Sequence, residues 1–240
     1  MSEIFRKALV QGLKEIDFPF QEKQVELCTQ YQKSLISWNQ KFNLTNIINP
    51  EDVAVKHFID SVIVLKLAKI DNNANIIDIG TGAGFPGLPL KIFSKKLKIT
   101  LLDSLEKRCH FLKNIIQELE INNITVVHGR AEDKGRDLNF REKYDSAIAR
   151  AVTYLPSLVE YCLPFVRIGG IFIALKGAEI DEELEKGKNA INLLGGKIHQ
   201  IINYSLPITG DKRSLIIIKK IKSTLEKYPR KAGIPKKKPL

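Results

Sequence analysis

Apolar positions along this chain follow two rhythms, and the change comes near residue 70. In QEKQVELCTQYQKSLISWNQKF, the residues Val25, Cys28, Tyr31, Leu35, Trp38 and Phe42 recur every three or four positions, one face of a helix. Pro19 separates this stretch from an amphipathic helix at the N-terminus, and VAVKHFIDSVIVLKLAK predicts a third over about 52–69. From Asn75 the rhythm becomes strand–helix alternation. It predicts strands near 75–79, 98–103, 124–128, 144–149 and 170–176, with helices at 86–94, 105–120, 154–166 and 179–194. Such alternation builds a parallel sheet covered by helices on both faces. The ending differs: 197–205 and 213–221 both read as strands, and LPITGDK between them is too short for a crossover. They should pair as an antiparallel hairpin. The expected fold is α/β, a Rossmann-like and mostly parallel sheet closed by that hairpin. Residues 1–70 form an N-terminal helical extension, 71–225 the sheet domain and 226–240 a basic flexible tail.

The stretch NIIDIGTGAGFPGLPL places the first candidate chemistry on this frame. A short β-rich run ends in Asp78, glycines follow at Gly80, Gly82, Gly84 and Gly87, and Pro86 stands where a helix would begin. Glycines there let the backbone turn tightly and approach a ligand that a Cβ would block. Phe85 interrupts them. Gly82, Gly84 and Gly87 satisfy the dinucleotide spacing G-x-G-x-x-G, so a nicotinamide cofactor stays open on spacing alone. Asp78 favours another ligand. A carboxylate at the strand end repels a pyrophosphate but suits the sulfonium and amino groups of S-adenosylmethionine. Asp103 ends the next strand, about 20 residues on, where an acidic residue grips ribose hydroxyls. A terminal hairpin is also typical of the methyltransferase variant of the doubly wound fold. As plain structure, Asp78 and Asp103 would be helix caps.

At 240 residues, with 44% hydrophobic and 27% charged positions, the chain has the composition of an ordinary globular protein. No apolar run approaches the ~20 residues needed to span a bilayer, and the N-terminus lacks the apolar core of a signal peptide. Cys28, Cys109 and Cys162 are odd in number and carry no metal-ligand spacing, so they read as reduced thiols in a cytoplasmic protein without a metal. The net charge of +11 changes the picture, because it favours a polyanionic partner. Lys227, Arg230, Lys231, Lys236, Lys237 and Lys238 fall in KYPRKAGIPKKKPL, which has no acid.

Ligands in an open parallel sheet lie beyond the carboxyl ends of the strands. HGRAEDK after the third strand offers Arg130, Ala131 and Glu132 to an adenine edge, or a cap to a short helix. AIARAV after the fourth places Arg150 at the mouth of the sheet, as a site residue or half of a buried ion pair. Lys176 follows the fifth strand and Arg213 opens the last, each within reach of substrate phosphate. What is missing also constrains the reaction. No Asn/Asp-Pro-Pro-aromatic tetrad follows the fourth strand, which disfavours an exocyclic base amine. No cysteine lies at a strand end, which disfavours pyrimidine carbon. An atom with its own lone pair and no proton to lose, such as guanine N7, needs neither device.

WNQKFNLT, KHFIDS, DIGTGAGFPGLPL, LLDSLEKRCHFL, GRAED, SAIARAV, LKG and the KYPRKAGIPKKKP tail resemble the bacterial glucose-inhibited division protein B family. These are the 16S ribosomal RNA guanine-N7 methyltransferases, and the resemblance covers nearly the entire chain. It implies cofactor contacts at Gly80, Phe85, Asp103, Ser104, Ala131, Glu132 and Arg150. It implies RNA-side residues at Arg130, Arg150 and Arg213, with Asn39 and His57 beside them. The implied cofactor is S-adenosyl-L-methionine and the partner is 16S rRNA or a small-subunit precursor, its target guanine in the decoding-region loop. A monomer, with no membrane partner, is expected. Two other readings stay open from the residues alone: an RNA-binding ribosome-assembly factor without catalysis, and an NAD-dependent oxidoreductase.

Overall fold

Seven strands form one sheet in the computed structural model, which describes residues 2–240. They are β1 (Asn75–Ile79), β2 (Lys98–Asp103), β3 (Ile124–His128), β4 (Tyr144–Arg150), β5 (Val166–Lys176), β6 (Gly196–Ser205) and β7 (Lys212–Lys220). Their order is β3-β2-β1-β4-β5-β7-β6. β1 pairs in parallel with both β2 and β4, so the strand order reverses there and a crevice opens above Ile79 and Arg150. β7 runs antiparallel to β5 and to β6, which is the hairpin its short connection required.

Successive residues of each strand face opposite sides, and the core divides accordingly. Ile76, Leu101, Ile148 and Ile217 pack with the helices α1 (Ser2–Glu15), α2 (Glu22–Phe42), α5 (Gly87–Phe93) and α6 (Glu106–Glu118). Ile77, Leu102, Ala149 and Ile218 pack on the other face with α8 (Leu155–Cys162) and α9 (Asp181–Leu193). Phe5, Leu9, Val25 and Tyr31 belong to the same cluster as the strand residues, so the first seventy residues share the core of the sheet. No helix among the described residues is long and apolar enough to cross a membrane.

Three segments depart from the sequence pattern. The expected third helix is a composite: a single turn α3 (Pro50–Asp52), a π-helical stretch Val53–Ile59, and α4 (Asp60–Leu67). Its wide turns leave the carbonyl oxygens of Lys56 and His57 to accept from Arg150 at 2.9 and 3.4 Å. The helix expected over 154–166 stops at Cys162, because Pro164 cannot donate to continue it. A 3-10 turn follows, and β5 begins at Val166.

The third departure is the tail. Residues 226–240, expected to be flexible, lie against the domain. Tyr228 is buried, Arg230 pairs with Glu160 at 2.6 Å, and α10 (Ile234–Lys237) forms beyond the short α7 (Ala131–Lys134) and α8 on which the segment rests. Side-chain carboxylates, invisible in the local composition, supply the partners that the tail lacks within itself.

Candidate active site

Two recesses open at the carboxyl ends of the strands, one on either side of Gly80. The smaller, about 150 Å³, lies over β2 and β3 and is lined by Asp103, Ser104, Arg130, Ala131 and Glu132. The larger, about 420 Å³, lies over β4 and β5. Thr81, Phe85, His57, Arg150, Lys176 and Arg213 are among its walls.

The glycine loop joins them. Asp78 is fully buried, and its Oδ2 accepts from Thr81 Oγ1 at 2.7 Å and from the Gly87 N–H at 2.8 Å. Its Oδ1 has no hydrogen-bond partner among the described residues. Burial therefore pushes this carboxyl up to about 6, against the pull of those two donors. Asp103 holds the loop from the other side, accepting from the N–H groups of Gly82 and Leu105 at 2.9 Å each. At Gly82, with φ of +62°, an added Cβ would enter space in which the nearest heavy atom, Gly80 O, lies 4.0 Å away. That gap leaves open space beside the backbone of the loop. Gly84 is different: a Cβ there would meet Tyr31 Oη at 2.6 Å and Leu112 Cδ2 at 2.9 Å, so this glycine is required by core packing.

The wall of the larger recess is a stack of aromatic rings. Tyr31 lies on Phe85 with centroids 5.2 Å apart, and His57 covers the other side of Phe85 at 4.5 Å. The Tyr31 hydroxyl donates to the carbonyl of Ala83 and so pins the loop from beneath. Arg150 Cζ lies 5.3 Å from the Phe85 ring centroid. Its Nη1 donates to Asp60 Oδ2 at 3.0 Å, while Asp60 Oδ1 accepts from the Tyr204 hydroxyl at 2.9 Å. Its Nη2 donates to His57 Nδ1 at 3.1 Å. An arginine only donates, so Nδ1 is the bare nitrogen and Nε2–H points to Thr45 Oγ1 at 2.8 Å. Burial, reinforced by the neighbouring guanidinium, depresses the His57 imidazole to about 3. It stays neutral at working pH.

The described residues also hold no group of His, Cys, Asp and Glu suited to a metal ion. The comparisons with known proteins give this geometry its family. The family model described as rRNA small subunit methyltransferase G (GidB) matches residues 24–216. The chain belongs to this family. Ribosomal RNA small subunit methyltransferase G of Acetivibrio thermocellus is 50% identical over 235 residues, 98% of this chain and 96% of the relative. That of Desulforamulus reducens is 50% identical over 232 residues, 97% of each. Solved structures of lower identity share the fold. M. jannaschii TYW2 in complex with AdoMet superposes with a TM-score of 0.51 at 17% identity, covering 63% of this chain and 71% of that one. YcgJ protein from Bacillus subtilis gives 0.53 at 16%, covering 70% and 100%.

Within this family member, most residues singled out in the sequence line one recess or the other, but some in unexpected roles. Arg130 borders the smaller recess, away from the side expected to face RNA. Asn39 lines neither recess. It donates to Thr45 O at 2.9 Å and accepts from Thr45 N at 2.8 Å, fixing the loop that brings Thr45 to His57. Lys176 lines the larger recess but is engaged by Glu183 at 2.6 Å and Thr153 O at 2.8 Å. Arg213 keeps its charge free, with no carboxylate partner among the described residues. Asp103, expected to take ribose hydroxyls, is occupied by backbone donors on both oxygens. Tyr31, Tyr204 and Arg108, which lines the larger recess and donates from Nη1 to Asp103 Oδ2 at 3.4 Å, are not marked as site residues by any motif. Tyr31 alone left a trace, as the polar-tipped residue on an otherwise apolar helix face.

Proposed function

We propose that this chain is an S-adenosylmethionine-dependent methyltransferase, acting on N7 of a guanine in the decoding-region loop of 16S ribosomal RNA. The observation that carries this reading is that, among the described residues, the larger recess offers no free base. His57 Nδ1 is taken by Arg150, and the Asp60 carboxylate is taken by Arg150 and Tyr204. The cysteines lie buried outside the recess. Guanine N7 has an in-plane lone pair and no proton, so methylation there asks for alignment and not for proton removal. An exocyclic amine or a ribose hydroxyl would ask for more.

The residues fit the cofactor. The unpartnered Asp78 Oδ1 supplies negative charge beneath the loop, Gly82 leaves a cradle open, and Asp103, Ala131 and Glu132 surround a recess of adenosine chemistry. When bound, S-adenosylmethionine supplies an electrophilic methyl group. The protein's own part is to hold Phe85 and His57 as a rigid apolar wall, to shed water from it, and to offer Arg213 to phosphate. The enzyme would act as a cytoplasmic monomer on the rRNA or a small-subunit precursor.

Titration of the pure protein with S-adenosylmethionine, S-adenosylhomocysteine and NADH separates this reading from its rivals. Binding of the first two alone is expected. NADH binding would point to an oxidoreductase, and RNA binding with no nucleotide bound would leave an assembly factor.

A further inference from the structure

The last stretch of the chain is tied to the smaller recess. Arg230 donates to Glu160 from its main-chain N–H at 2.7 Å, from Nε at 2.9 Å and from Nη2 at 2.6 Å, and the Glu160 side chain is fully buried. Just before it, the carbonyls of Tyr228 and Pro229 accept from Arg141 Nη1 at 2.8 Å and Arg136 Nε at 2.6 Å. Beyond it the backbone turns at Gly233, with φ of +82°, and the Gly233 N–H donates to Glu132 Oε1 at 2.8 Å. Ser157 Oγ then donates to the Pro235 carbonyl at 2.7 Å.

Glu132 is 5% exposed, and Gly233 is its one hydrogen-bond donor among the described residues. A carboxylate so buried needs a donor to hold both its charge and its orientation. Its place on the wall beside Ala131 puts it where an adenine amino group would donate. We propose that residues 228–235 form a strap that positions Glu132 for the adenine of the cofactor, making the C-terminal segment part of the cofactor site. This rests on the reading of the smaller recess as an adenosine site. Lys236, Lys237 and Lys238 follow the strap and stay exposed, so its anchoring does not consume their charge.

The strap and the ligand must help each other equally, since coupling between two binding events is reciprocal. Deleting residues 231–240 keeps Tyr228 and the Arg230–Glu160 pair but removes the Gly233 contact. Loss of one donor to a buried charge should weaken S-adenosylhomocysteine binding about tenfold by calorimetry. A variant carrying Lys236→Gln, Lys237→Gln and Lys238→Gln should bind as the unaltered chain does. In the full-length protein, S-adenosylhomocysteine should slow tryptic cleavage after Lys231. Equal affinity in the folded truncation, or a cleavage rate indifferent to the ligand, overturns the strap. If the truncation fails to fold, the cleavage measurement decides alone. No binding by the full-length chain would instead remove the adenosine reading beneath both.

Discussion

The two recesses beside Gly80 draw their walls from different parts of the chain. The smaller takes its walls from the ends of β1, β2 and β3 and the residues that follow them, so short motifs supply nearly all of it. The larger depends on partners far apart in sequence: Arg150 meets Asp60 across 90 positions, and Tyr204 meets Asp60 across 144. Local backbone geometry can be written into a motif. A buried ionic network exists only once the whole fold has closed, and it must then be complete, because a single unpaired member is expensive.

Breaking that network should have the largest effect. Arg150→Ala leaves Asp60, whose side chain is 4% exposed, without its cation. We expect a loss of about 3–5 kcal/mol in denaturant unfolding and a fall of about 10²–10³ in single-turnover methyl transfer. Arg150→Lys should recover part of each, since a point charge cannot reach Asp60, His57 and two carbonyls together. Full stability in Arg150→Ala would erase the distinction between the recesses.

Two glycines sharpen the comparison within the loop. Gly84→Ala drives a methyl into Tyr31 and Leu112, so it should destabilise the fold by about 1–3 kcal/mol. Gly82→Ala meets no protein atom closer than 4.0 Å. It should cost only the left-handed backbone strain of about 1–2 kcal/mol, while cofactor affinity falls sharply. Thermal unfolding and calorimetry on the same two variants read both effects, and equal cofactor affinities would move the ligand away from Gly82.

The parallel strands and the closing hairpin were legible because strand–helix alternation and the length of the last connection report directly on pairing, whereas the order of the strands was not. The positions of Asp103, at the end of β2, and of Ala131 and Glu132, just past β3, were legible too, and all three line the smaller recess. Three things were hidden. Asp60 and Tyr204 read as ordinary helix and strand residues until Arg150 is brought between them. The π-helical turns at Val53–Ile59 leave no mark in an apolar pattern. The tail looked free because its anchors, Glu132 and Glu160, lie far upstream.

Smaller effects should appear in pH profiles. The folded Asp78 carboxyl is raised to about 6, so its protonated form is favoured by folding. Its contribution is present below the unfolded value of about 4 and is lost as pH rises to about 6. His57, lowered to about 3, acts in the opposite sense: its contribution is present above about 6.5 and lost on acidification. Asp78→Asn should remove the first component and make unfolding stability climb more steeply from pH 4 to 6. An unchanged slope would place Asp78 outside the buried loop. The smallest effect belongs to Lys236, Lys237 and Lys238. Their change to Gln should reduce the salt slope of RNA affinity by about 0.7 per lost phosphate contact, measured by filter binding. An unaltered slope would leave them as solvated charges.

In the proposed reaction a guanine lone pair takes the methyl group without a base. The most direct test is to incubate the protein with small-subunit particles and methyl-labelled S-adenosylmethionine, then map the label by nuclease digestion and mass spectrometry. Label on N7 of one decoding-region guanine is predicted, with a chemical step whose rate is flat between about pH 7 and 9. Label on an exocyclic amine or a ribose hydroxyl, or a rate rising steeply through that range, would contradict it.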